Sequence, residues 1–261
     1  MHLDILSEFL GTMVLILLGN GVGFSVSHSR MFANQPGKWV VIAFAWGFAV
    51  MMGVIVSQAL NGVAHLNPAV TLFAWISNPE FASGLGGALP VVYILAQFGG
   101  AMFGQMVLDF INWKHIVETD AAIVRSTHCT GPAFTNGGKD RAVVFNFAYE
   151  LVGTLTLVGL ILAFGRGNNS QSLSSLGPIP VTLLVVVIGM SIGSSTGYAI
   201  NPARDLGPRI VYFFLEKFAY PIKQKPTIGA NFQYGWLPVL APALGGIIIG
   251  LFGLLPNVAA A

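Results

Sequence analysis

Two short runs, "HLNPAVT" at residues 65–71 and "AINPARD" at residues 199–205, each place an asparagine directly before a proline inside apolar sequence. Asn is a favoured helix N-cap and Pro a favoured first helical residue. Asn67-Pro68-Ala69 and Asn201-Pro202-Ala203 are therefore expected to start helices rather than break them. With its side-chain oxygen capping the helix, each asparagine keeps an amide nitrogen that can donate to a passing water or hydroxyl. Each helix N-terminus also carries roughly half a positive charge. Brought together, two such ends repel a cation or hydronium that has lost its hydration, and leave a neutral polar molecule unopposed.

Other residues carry chemistry around these two. Arg204 follows the second Asn-Pro-Ala in an apolar setting, where a charged side chain costs about 2.5–3.5 kcal/mol. Glu8 and Glu150 are ionisable groups within apolar stretches. The expectation is that each accepts hydrogen bonds from backbone N–H groups near the Asn-Pro-Ala runs, since a buried carboxylate without partners is expensive. His65 is expected to offer a backbone carbonyl and a ring nitrogen. It lacks partners at metal-ligand spacing, and neither a metal nor a cofactor is predicted. Asp205 and Arg209, four apart on one helix, can pair. His128 and Cys129 are adjacent, but no further ligand accompanies them, and they read as ordinary loop residues.

The elements that must position these groups follow from composition. The chain has 261 residues, 54% hydrophobic and 8% charged, with 32 glycines and a mean hydropathy of +0.74. Ordinary soluble proteins are about 25% charged, so this is the composition of a multi-pass membrane protein. The net charge of +2 comes without basic clusters, which excludes a nucleic-acid partner. A single cysteine, Cys129, excludes an internal disulfide framework. The opening "MHLDILSEFLG" lacks the basic region and cleavage site of a secretory leader.

A membrane span needs roughly 20 mostly apolar residues. Six segments qualify: 4–27, 38–58, 88–111, 142–165, 178–196 and 235–255. Two shorter apolar pieces, 67–77 and 201–215, reach only about halfway across a bilayer at about 1.5 Å per residue. The chain also repeats itself. "SEFLGTMVLILLG" and "YELVGTLTLVGLI" share Glu-x-x-Gly-Thr, and each is followed at similar distance by an Asn-Pro-Ala. The expected organisation is one membrane domain over 1–261. Its halves, 1–111 and 142–261, are joined by a polar connection at 112–141. An odd number of spans per half makes the repeat inverted, so the two half-spans meet near the midplane. The irregular backbone before each asparagine cannot face lipid. Val63, Ala64, His65 and Leu66 in one half, and Gly197, Ala199 and Ile200 in the other, are expected to line a water-filled path.

These residues resemble the aquaporin superfamily over essentially the whole chain. Asp205 and Arg209 after the second Asn-Pro-Ala resemble its glycerol-facilitator branch. The resemblance implies an all-α membrane fold of six helices and two re-entrant half-helices, one pore per subunit, and a homotetramer in the cell membrane. It implies a passive channel, not an enzyme, for glycerol and water, with lactic acid, urea or dihydroxyacetone as other neutral solutes. It implies an outer constriction formed by Arg204, Gly189, Tyr198 and Trp46. Phe44 is the alternative to Trp46, because the stretch from Trp46 to Asn67 is one residue longer than in the family. Gly189 would give room where water-selective members carry histidine. Tyr198 stands where glycerol facilitators carry Phe, and its hydroxyl would make that corner more polar. Asp205 and Arg209 would shape the outer loop.

A proton-coupled secondary transporter also uses inverted repeats and broken helices, but only Glu8 and Glu150 could titrate at the midplane. No nucleophile–base set supports an enzyme. Orientation is read in two ways. All 12 Lys and Arg except Arg166 fall on the side opposite the termini, which by the positive-inside rule puts the termini outside. The resemblance puts them in the cytoplasm.

Overall fold

A computed structural model of the protein describes residues 3–135, 142–219 and 226–255, in which every regular element is helical. The principal helices are α1 (Leu3–Ser27), α2 (Lys38–Gln58), α3 (Pro68–Ser77), α4 (Leu89–Ile111), α5 (Val143–Phe164), α6 (Ile179–Ile192), α7 (Pro202–Phe218) and α8 (Leu237–Gly253). A four-residue helix, Phe232–Gly235, leads into α8. The end of the expected connection, 136–141, lies outside the described residues.

Among the described residues five helices are long and apolar enough to cross a membrane: α1, α2, α4, α5, and α8 with the short helix before it. The sixth expected span, 178–196, is a helix of only 14 residues, about 21 Å at about 1.5 Å per residue. It stops because Gly193-Ser194-Ser195-Thr196-Gly197 turns the chain back toward Tyr198. The second half-helix is longer than expected, 17 residues against the ten of α3.

The packing exchanges the halves. α1 packs on α2 and α4, and α5 packs on α8, while α2 of the first half meets α6 of the second. The half-helices cross over: α3 packs chiefly on α8, and α7 packs on α4. Small residues make this close approach possible. A Cβ on Gly100 or Gly104 of α4 would collide with the backbone of Phe9 or Met13 on α1, and one on Gly246 of α8 would collide with the backbone of Ala69.

Polarity is arranged inside out. Ser7, Glu8, Thr12, Asn20, Gln97, Gln105, Glu150 and Thr154 are buried, whereas Leu95, Phe110, Val144, Phe145 and Leu183 are more than half exposed. An apolar exterior of this kind has lipid as its fitting solvent.

The connection between halves folds back rather than lying free. Short helices at Trp113–Glu118 and Ala121–Ser126 bury Ile116, Ala121 and Val124 in a cluster with Phe24, Leu108 and Tyr212. This corrects the reading of His128 and Cys129 as ordinary loop residues. His128 is fully buried, with Nε2 3.0 Å from Asp109 Oδ1 and Nδ1 2.8 Å from the Val124 carbonyl. Asn20 donates to the His128 carbonyl and to Gln105 Oε1. Burial in that fold pushes the Cys129 thiol up to about 12.

Candidate functional site

The two asparagines are joined across the chain. Asn67 Oδ1 accepts from the Ala69 N–H at 2.9 Å, and Asn201 Oδ1 accepts from Ala203 and Arg204 at 3.0 and 3.2 Å. Both are thus N-caps, as expected. Their amide nitrogens are not wholly free, however. Asn67 Nδ2 donates to the Ile200 carbonyl and Asn201 Nδ2 to the Leu66 carbonyl, each at 2.8 Å. An amide carries two N–H groups, so one of each pair locks the half-helix ends together and the second is left for another acceptor.

The backbone leading into each asparagine has the same unusual shape. Ala64 and Leu66, three and one residues before Asn67, have φ of 58° and 51°; Tyr198 and Ile200, at the same offsets from Asn201, have φ of 35° and 41°. Left-handed backbone costs an L-residue roughly 1–2 kcal/mol, so four such residues need external support. It comes from the two buried glutamates. Glu8 accepts from His65 N and Leu66 N, both at 2.7 Å, and Glu150 accepts from Ala199 N at 2.9 Å and Ile200 N at 2.8 Å. The Glu-x-x-Gly-Thr repeat therefore marks two equivalent struts. Gln97, which sequence reasoning missed, donates to Glu8 Oε2 at 2.7 Å and to Thr71 Oγ1 at 2.8 Å. A lone Gln in an apolar helix was the signal available for it.

A cavity of about 490 Å³ follows this axis. Its lining takes in the connection between α5 and α6 (Gly165, Ser170, Leu173), Asn67 and Asn201, and Trp46, Tyr198 and Arg204. Its walls are apolar side chains such as Val50, Phe73, Leu157 and Val185. Val63, Ala64, His65, Leu66, Ala199 and Ile200 are among the residues that line it. Gly197 does not; it packs against Thr130 instead. The His65 ring is turned partly into the protein, edge-on to Phe81 and Tyr93, with Nδ1 3.3 Å from Thr71 Oγ1.

Within this lining the Arg204 guanidinium lies 4.0 Å above the Trp46 ring, a cation–π contact worth about 0.5–2 kcal/mol. None of the guanidinium N–H groups is hydrogen-bonded to a described residue. Trp46 is 6% exposed and its ring lies flat on Gly19 of α1, where any Cβ would collide. Phe44 is 42% exposed on the outer surface and does not line the cavity.

Gly189 is placed differently from the expectation. It does not line the cavity; Tyr198 occupies the space its missing side chain leaves. A Cβ on Gly189 would stand 2.8 Å from Tyr198 Cζ and 2.9 Å from its hydroxyl. The Tyr198 hydroxyl is itself buried and has no hydrogen-bond partner among the described residues. It therefore does not add an accessible polar group to this corner, as the sequence had suggested.

Asp205 and Arg209 pair as expected, with Nη2 and Nε of Arg209 both 2.8 Å from Asp205 Oδ1. The pair is fully buried and clamps two loop segments onto α7. Asp205 Oδ2 accepts from Thr130 N and Oγ1 at 2.8 and 2.6 Å, and Arg209 donates to the carbonyls of Thr130 and Ala230 at 2.8 and 2.7 Å.

Comparison with known proteins agrees with this architecture. Residues 2–252 match the model of the family described as major intrinsic protein. The chain is 44% identical over 255 residues to a probable glycerol uptake facilitator protein of Mycoplasmoides gallisepticum, covering 97% of each. It is 40% identical to glycerol uptake facilitator protein 3 of Lactiplantibacillus plantarum, again covering 97% of each. It is 41% identical to the glycerol uptake facilitator protein of Streptococcus pneumoniae, covering 94% and 95%. Among solved structures, the X-ray structure of the aquaglyceroporin from Plasmodium falciparum superposes with a TM-score of 0.71 at 27% identity, covering 99% of both chains. With two capped half-helices meeting across an inverted repeat and a family match over nearly its whole length, the chain belongs to the major intrinsic protein family.

Proposed function

We propose that the protein is a passive membrane channel for glycerol and other small neutral solutes, water included, that excludes protons and ions. The observation that carries this reading is the reciprocal bond between the half-helix ends, Asn67 to Ile200 and Asn201 to Leu66, on the wall of a continuous cavity. Two positive helix ends face one point in the pore, where a cation finds no compensating charge and a hydroxyl finds donors. The relatives named as glycerol uptake facilitators support glycerol as the solute.

Each residue has a part in this reading. Asn67 and Asn201 offer their remaining amide N–H to the solute, and the carbonyls of residues 63–66, 199 and 200 accept from it. Arg204 supplies donors at the outer constriction, while the Trp46 and Tyr198 rings face the solute's carbons. Glu8 and Glu150 hold the loops. Their oxygens are taken up by backbone N–H groups, which supports loop support over proton coupling. The pore occupies a single domain of two inverted halves, 1–111 and 142–261, within each subunit of a homotetramer in the cell membrane, its termini cytoplasmic.

The test is vesicle swelling in proteoliposomes with glycerol, beside proton flux under an imposed potential. Glycerol permeability well above that of empty liposomes, with proton flux equal to theirs, is the expected result. A proton conductance that grows with channel density defeats the mechanism.

A further inference from the structure

Trp39, at the start of α2, is not among the residues that line the cavity. Its indole N–H nevertheless donates to the Gly189 carbonyl at 2.9 Å, bridging 150 residues of sequence. Gly189 lies in the last turn of α6, where carbonyls run short of intrahelical donors. The same indole ring stands edge-on to Tyr198, with ring centres 5.8 Å apart and planes at 74°, the geometry aromatic pairs prefer.

Tyr198 needs such a support. Its φ of 35° is strained for a residue with a side chain, and its hydroxyl finds no partner among the described residues to anchor it. Its ring rests on the flat surface left by two glycines one turn apart. Cβ atoms on Gly189 and Gly193 would stand 2.8 and 2.6 Å from it. That surface forms a floor, and the Trp39 ring forms a wall. Through one residue, Trp39 therefore fixes both the ring and the helix end that carries the floor.

We propose that Trp39 is a positioning residue for solute selection: by tying Gly189 and bracing Tyr198 it sets the width of the constriction without touching the solute. This rests on the channel reading above. Without the brace, the Tyr198 ring can leave its seat, and solutes bulkier than glycerol gain entry relative to glycerol.

The experiment compares the parent protein with Trp39→Leu, which removes both contacts, and Trp39→Phe, which keeps a ring edge but loses the N–H. Swelling rates are measured in proteoliposomes with water, glycerol and the five-carbon polyol xylitol, at matched amounts of assembled protein. The expected result is a xylitol-to-glycerol ratio raised by about threefold or more in Trp39→Leu, the population change that loss of one net hydrogen bond brings, with Trp39→Phe between it and the parent. A role in folding alone would lower all three rates together and leave the ratio where it was; that result overturns the proposal. Should Trp39→Leu fail to assemble, Trp39→Phe decides by the same ratio. A parent protein that passes no glycerol would remove the channel reading and this inference with it, which is a different result from an unchanged ratio.

Discussion

The struts under the half-helices give the sharpest quantitative test. Glu8 accepts three donors, two buried and one part-buried: the N–H groups of Leu66 and His65 and the side-chain amide of Gln97. In Glu8→Gln one oxygen remains as acceptor, while the new amide group turns a donor toward another donor. About one buried N–H is then left unpaired, at about 1–3 kcal/mol. In Glu8→Leu all three donors lose their partner, and the same rule gives about 3–9 kcal/mol, comparable with the whole stability of many folds. The loop has a way to release that energy, because Ala64 and Leu66 are held at positive φ and relax toward ordinary backbone once the strut is gone. Relaxation would turn the Leu66 carbonyl away from Asn201 and break the reciprocal bond at the pore centre. The assay is thermal unfolding of purified protein in detergent, followed by the fluorescence of its five tryptophans, beside glycerol swelling rates. Glu8→Gln should assemble, melt about 2–12 °C lower and pass glycerol more slowly. Glu8→Leu should fail to assemble or pass no glycerol. Equal melting and equal glycerol rates for the two variants would refute the idea that the carboxylate holds the loop.

Three more outcomes are expected. Gly189→His fills the floor under Tyr198 and pushes its ring into the cavity, the opposite of the shift that loss of Trp39 allows, so glycerol and water rates should both fall; adding Tyr198→Ala should restore water but not glycerol, and swelling assays on both variants check this. Arg209→Lys keeps the charge beside Asp205 but cannot also reach the Thr130 and Ala230 carbonyls; each buried acceptor left unpaired costs about 1–3 kcal/mol, which a clear fall in unfolding temperature would register. Cys129, with its thiol pushed up to about 12, holds only about one part in ten thousand as thiolate at pH 8. It should resist maleimide in the folded protein and react after denaturation in detergent, as mass spectrometry can follow; rapid labelling of the native protein would contradict its burial.

Much of this molecule was legible from the chain. Asn-Pro carries its own helix-starting chemistry, so both half-helices, their capping and their pairing by an internal repeat could be read directly, as could the two glutamates under them. Arg204 stood out because a charge in an apolar segment demands a reason. The remaining parts depended on which face each helix turns inward. Trp46 and Phe44 are two positions apart on α2, about 200° around the helix, and only packing decides which one meets Arg204. In a soluble protein the polar side of a helix would reveal that phase. On α2 the lipid-facing and core-facing sides are both almost wholly apolar, so no polar stripe fixes which side turns inward. The same ambiguity hid Gln97, the brace at Trp39 and the burial of His128, each of which is fixed by a partner 19 to 150 residues away. Tyr198 shows the limit most clearly: its hydroxyl could be read in the sequence, but its burial beside Gly189 depends on how closely α6 approaches the second loop.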